Sequence, residues 1–177
     1  MRTATLLACL LSFGPAAAQI TAAGVHDVGL VMTTPTVLAS TQAVGQACGP
    51  FTCTPFSAPS PAATPASSTR TVRIFGDANS LWVLMMSTTP PASTPCLPIP
   101  GIGNALILGQ PIVVVGFGVT GPLLPNPTAA CQQGVGTFQL TLPTPAPNIL
   151  PFYLQALTMS HATGGPAFTV AVRGFAH

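Results

Sequence analysis

Proline or glycine interrupts nearly every stretch of this chain long enough for three helical turns, with 21 prolines and 17 glycines among 177 residues. Proline removes a backbone donor and clashes with the preceding turn, and glycine loses the most freedom on ordering, so each interruption works against a helix. A helix would also lack an outer face to dissolve it. There is no lysine and no glutamate, and the charged side chains are Arg2, Arg70, Arg73, Arg173, Asp27 and Asp77. Strands remain.

Segments with two-residue alternation or β-branched runs recur at 27–33, 71–75, 81–87, 105–108, 112–119, 137–142, 152–160 and 168–175. The cleanest is Thr137 to Leu142, where Phe138, Leu140 and Leu142 would face a core and Thr137, Gln139 and Thr141 water, the pattern of a half-buried antiparallel sheet. Phe168 to Arg173 alternates in the same way, with Phe168, Val170 and Val172 on one face, and is expected to close the domain as its last strand. Leu81 to Met86 and Ile112 to Val115 are apolar on both faces, which suggests either central strands covered on each side or a second interacting surface. The expected fold is all-β, an antiparallel β-sandwich of about eight strands with proline-rich loops, and a β-barrel is the alternative.

The beginning of the chain reads as an export signal over residues 1–18. Arg2 gives the positive start, Leu6 to Phe13 the apolar stretch and Ala16-Ala17-Ala18 the small-residue cleavage site. Residues 19–177 then form a single domain with a low-complexity loop at 55–69, rich in Ala, Pro, Ser and Thr and poor in the apolar groups that offset ordering entropy. The most hydrophobic window, Ala105 to Leu124, is broken by Gln110, Pro111, Gly116, Gly118, Gly121 and Pro122, so no membrane-spanning helix is expected. The expected location is secreted, periplasmic or at the cell surface.

Beyond the signal the cysteines are Cys48, Cys53, Cys96 and Cys131, an even number in a chain read as exported, and two disulfides follow. Three pairings are possible. The favoured one joins Cys48 to Cys53 across a tight Gly-Pro loop, and Cys96 to Cys131. A four-cysteine zinc site would need the short paired spacings that are absent here, and no metal or cofactor is expected.

Chemistry is limited by supply. The acid-base groups after the signal are Asp27, Asp77, His26, His161, His177, Tyr153 and three arginines. Adjacent residues of a strand point to opposite faces, so His26 and Asp27 cannot readily serve one substrate. Asp77 follows Gly76 and precedes Ala78-Asn79, a turn signal. His161 ends a strand before a glycine-rich loop, and a hydrolase built from Asp77, His161 and a serine is the only catalytic constellation available. No Gly-x-Ser-x-Gly elbow or His-Glu-x-x-His motif supports it. Gly116 and Gly118 read as turn or strand-bend glycines. Nucleic acid would need a basic patch that three scattered arginines cannot form.

Trp82 and Tyr153 are the aromatic residues with polar handles and so the candidate glycan contacts, although core packing competes for both. The run Val44-Gly45-Gln46-Ala47-Cys48-Gly49, the strand Leu81 to Ser87, Cys96-Leu97-Pro98-Ile99-Pro100 and Leu150-Pro151-Phe152-Tyr153-Leu154-Gln155-Ala156 together resemble exported, cysteine-bearing β-sandwich proteins of planctomycete-like bacteria. That resemblance implies fold and export, and supplies no activity or site residues.

The function expected from these readings is structural or adhesive, at a cell surface, envelope or matrix. The partner is a second copy of the chain or a surface polymer, not a small-molecule substrate. A glycan-binding module and a hydrolase using Asp77 and His161 are the alternatives. A weakly charged surface can meet a neighbour without desolvating ions, which costs several kcal/mol each.

Overall fold

The computed structural model describes residues 27–35, 41–47, 51–57, 69–91, 96–123, 133–142 and 150–176. Residues 1–18, expected as an export signal, and His26, Cys48, Cys131, His177 and most of the low-complexity loop lie outside them. The described residues hold strands and no helix: β1 (Gly29–Pro35), β2 (Thr41–Gln46), β3 (Phe56–Ser57), β4 (Thr69–Gly76), β5 (Leu81–Ser87), β6 (Leu97–Pro98), β7 (Ala105–Leu106), β8 (Val113–Val119), β9 (Gly134–Thr141), β10 (Leu150–Met159), β11 (Pro166–Phe168) and β12 (Val172–Ala176). One sheet runs β2-β1-β4-β9. The larger runs β3-β12-β10-β5-β8, with β11 added to β10, and β6 and β7 form a small ladder of their own. Pairing is antiparallel except between β3 and β12. The fold is therefore all-β and sandwich-like, and the described strands do not close into a barrel.

Alternation decides which side chains meet between the sheets. Leu30 and Met32 of β1, Val72 and Ile74 of β4 and Leu140 of β9 face Trp82 and Leu84 of β5, Phe152, Leu154 and Ala156 of β10 and Val172 of β12 across one buried core. Burying each of the larger apolar side chains contributes about 1.5–3 kcal/mol. Strand β9 alternates as its sequence predicts, with Leu140 and Leu142 buried and Thr137, Gln139 and Thr141 exposed.

Two aromatic rings key the sheets together. Trp82 and Phe138 meet edge to face, with centroids 6.2 Å apart and planes at 72°. Their space comes from glycines: a β-carbon at Gly116 of β8 would strike the Phe138 ring, and one at Gly118 or Gly136 would strike the Trp82 indole. Gly116 and Gly118 fall within the strand expected at 112–119, beside a shift in its register, in keeping with the strand-bend reading of the sequence. They lie inside β8 and supply the hollows into which the rings fit.

The closing strand is two strands. β11 pairs with β10 at Leu157 to Met159, and β12 pairs with β10 at Leu150 to Leu154. Between them Thr169 takes over the ladder, its N–H donating to Ala156 O and its Oγ1 accepting from Ala156 N–H. A side-chain hydroxyl substituting for a backbone group is invisible in the alternation of Phe168 to Arg173.

Residues 96–109, part of the connection from β5 to β8, lie as a strap over the outer face of the larger sheet. Gln155 of β10 points away from the core, yet it is fully buried because the strap covers it. Its amide donates to Ala105 O and Thr169 O, each at 2.9 Å, and its Oε1 accepts from Ile107 N–H at 2.9 Å. Asn104 adds a bond from Nδ2 to Phe168 O at 2.6 Å. The strap is tied at its start by a disulfide between Cys53 and Cys96, 5.4 Å apart at Cα. This overturns both expected pairings. Cys53 sits just before β3, and the β3–β12 ladder brings it to the strap, a long-range contact that a preference for short loops could not foresee.

Candidate functional site

Asp27, Asp77 and His161 gather at one end of the sandwich. Asp27 is buried beside the turn after β10, where Ser160 Oγ lies 3.0 and 2.9 Å from its two carboxylate oxygens and Ala162 N–H donates to Oδ2. Thr163 N–H in turn donates to Ser160 Oγ. The carboxylate therefore organises the backbone of the Ser160 to Thr163 turn, a firmer role than the strand-start position suggested by its sequence. Asp77 does cap a turn as expected: Oδ1 accepts from Ala78 N–H, and its carbonyl accepts from Ser80 Oγ and Thr120 Oγ1.

His161 Nδ1 lies 3.0 Å from Asp77 Oδ1. The structure thus brings together the two residues of the hydrolase alternative across 84 positions of sequence. Their side chains are 58% and 39% exposed, so water screens the pair. Among the described residues no serine or threonine hydroxyl hydrogen-bonds the His161 ring. The nearest in sequence, Ser160, turns its hydroxyl to Asp27. Nor do three or more His, Cys, Asp or Glu side chains of the described residues cluster as a metal would require.

The candidate glycan contacts are placed elsewhere. Trp82 is 4% and Tyr153 5% exposed, so neither offers a ring face to a sugar, and the competing packing reading describes both. Trp82 faces the core, and Tyr153 is stacked under the Arg173 guanidinium, 5.9 Å from its ring centroid. Burial also acts on Arg70 at the start of β4, where it pushes the guanidinium pKa below its ordinary value.

What the larger sheet does expose is apolar. Trp82 and Leu84 point inward, so Leu81, Val83 and Met85 point outward, opposite Val119, Phe117 and Val114 of β8. Phe117 is 81% and Leu81 71% exposed, and Val113, Val114 and Val119 are each more than half exposed. Among the described residues β8 ends the sheet and hydrogen-bonds as a ladder only to β5. Ile112 to Val115, read as a possible central strand, is therefore part of an edge. The second reading of that apolar run, an interacting surface, fits its position. Phe117 and Leu81 were not singled out, because alternation cannot tell an outward apolar residue covered by another layer from one left bare.

No protein-family model, curated protein or solved structure matches this chain.

The chemistry of this row is simple. Neither β5 nor β8 carries a charged side chain, and the row has no polar group to orient a small ligand. An apolar strip of this kind lowers its free energy by being covered.

Proposed function

We propose that the protein is an exported structural or adhesive component of a cell surface, envelope or extracellular matrix that works through contact surfaces. The observation carrying this reading is the charge-free row of Leu81, Val114, Phe117 and Val119 standing in solvent on a disulfide-tied sandwich. The Cys53–Cys96 bond fits an oxidising compartment, and the signal-like first residues and the resemblance to exported sandwich proteins support export. Analytical ultracentrifugation tests the reading. The protein should sediment above monomer mass at micromolar concentration, with little change between low and high salt because the contact contains no ions. A monomer, or an assembly dissolved by salt, overturns it.

The Asp77–His161 contact favours a second reading, a hydrolase. It supplies an acid and a base but, among the described residues, no hydroxyl set against the ring. Turnover of ester substrates by the purified protein, abolished in His161→Ala, would establish that reading in place of the first.

A further inference from the structure

We propose that the open edge of β8 pairs antiparallel with the β8 of a second copy, joining the two larger sheets into one; this rests on the reading of the protein as a contact protein. An edge strand presents a row of unpaired backbone donors and acceptors, and proteins ordinarily guard it with charge, proline, brevity or distortion. β8 is seven residues long, with no charge and no proline. Its one irregularity is a register shift opposite Leu84 and Met85, which leaves Gly116 to Val119 in regular pairing.

The other sheet ends differ from β8. β3 has two residues and lies beside the Cys53–Cys96 bond. β2 is distorted at Gly45, whose φ is 109°. Beside β9, Gly121 N–H already donates to Val135 O. Among the described strands, an end of the larger sheet and the bare apolar side chains thus fall together on β8.

A second copy of the strand is the occupant that fits. Antiparallel pairing about a two-fold axis sets each donor of β8 against an acceptor of the same strand, so the edge is complementary to itself. The strip carries no charge to repel a like surface or to select an oppositely charged one. In the joined sheet the outward side chains of Val114, Phe117 and Val119 line up beside those of the second copy, and such cross-strand apolar pairs contribute roughly 0.2–1 kcal/mol each. Pairing is therefore reversible and concentration-dependent.

The test combines sedimentation with backbone hydrogen exchange over a concentration series. The expected result is a monomer–dimer equilibrium in which the Val113–Val119 amides that point off the sheet exchange roughly tenfold more slowly once nine-tenths of the molecules are paired. Phe117→Lys, which places a charge beside its own image, should remain folded by circular dichroism and sediment as a monomer. Association with β8 exchange unchanged, or a Phe117→Lys variant that associates as well as the parent, overturns the edge pairing and leaves the contact reading standing. A monomer at every concentration overturns both.

Discussion

The indole nitrogen of Trp82 rests against Gly136 of the opposite sheet, so closely that no β-carbon fits between them. Trp82 is the single tryptophan and reports directly on this junction. Gly136→Ala forces the sheets or the ring to shift, and should destabilise by about 1–3 kcal/mol, with a displaced emission maximum. Gly165→Ala, where a β-carbon would make only ordinary contact with Thr163 Oγ1 at 3.8 Å, should change stability by no more than about 0.5 kcal/mol. Denaturant titration followed by tryptophan fluorescence distinguishes the two.

Gln155 satisfies one strap donor and two acceptors from a fully buried position. Gln155→Leu leaves all three without a partner, and a loss of at least about 3 kcal/mol is expected. Gln155→Glu adds a pH dependence of defined sign. Only the protonated acid can donate to a carbonyl, and burial opposes its ionisation, so the folded form holds its proton to a higher pH than the unfolded chain. Stability of that variant should fall as pH rises above about 4.3, the ordinary value for glutamate, and level off once the folded form has also ionised. Unfolding curves at several pH values measure this, and a flat profile would contradict the buried donor role.

Reduction of Cys53–Cys96 frees a closed loop with a sequence separation of 43. In the loop-entropy model the loss is about 4 kcal/mol, and the Cys53→Ser/Cys96→Ser variant should show it as a lowered denaturation midpoint. Peptide mapping without reductant should recover residues 53 and 96 in one cross-linked fragment.

The two carboxylates should differ sharply. Asp27→Ala strips a buried turn of its acceptor and strands the Ser160 hydroxyl and the Ala162 amide, for an expected loss of about 2–4 kcal/mol. His161→Ala removes the partner of an exposed, screened pair while sparing the Asp77 turn, and should shift stability by less than about 1 kcal/mol. Equal losses would mean that the surface pair carries structural weight beyond its contacts.

Much of the fold was legible where burial follows local alternation. Leu81–Ser87 forms over the expected span, and Phe138, Leu140 and Leu142 face inward as read. β2 was missed because Thr41 to Gln46 lacks a β-branched apolar pattern and is held as a strand by its ladder to β1. The twofold apolarity of Ile112 to Val115 could not reveal whether a layer lay above it. The hollows at Gly116 and Gly118 were not legible, because the rings they admit come from other strands. The site fared similarly: Asp77 and His161 were named, but only the chain's path shows them in contact, and Gln155 was not singled out, because nothing local reveals the strap above it.

The Cys53–Cys96 bond also changes what a cut does. Because it spans everything from residue 54 to residue 95, a protease that severs the backbone once anywhere in that interval releases no fragment, and both portions stay covalently joined on either side of the nick. For a molecule exposed to hydrolytic surroundings, damage to that long excursion is then survivable so long as the sulfurs stay oxidised.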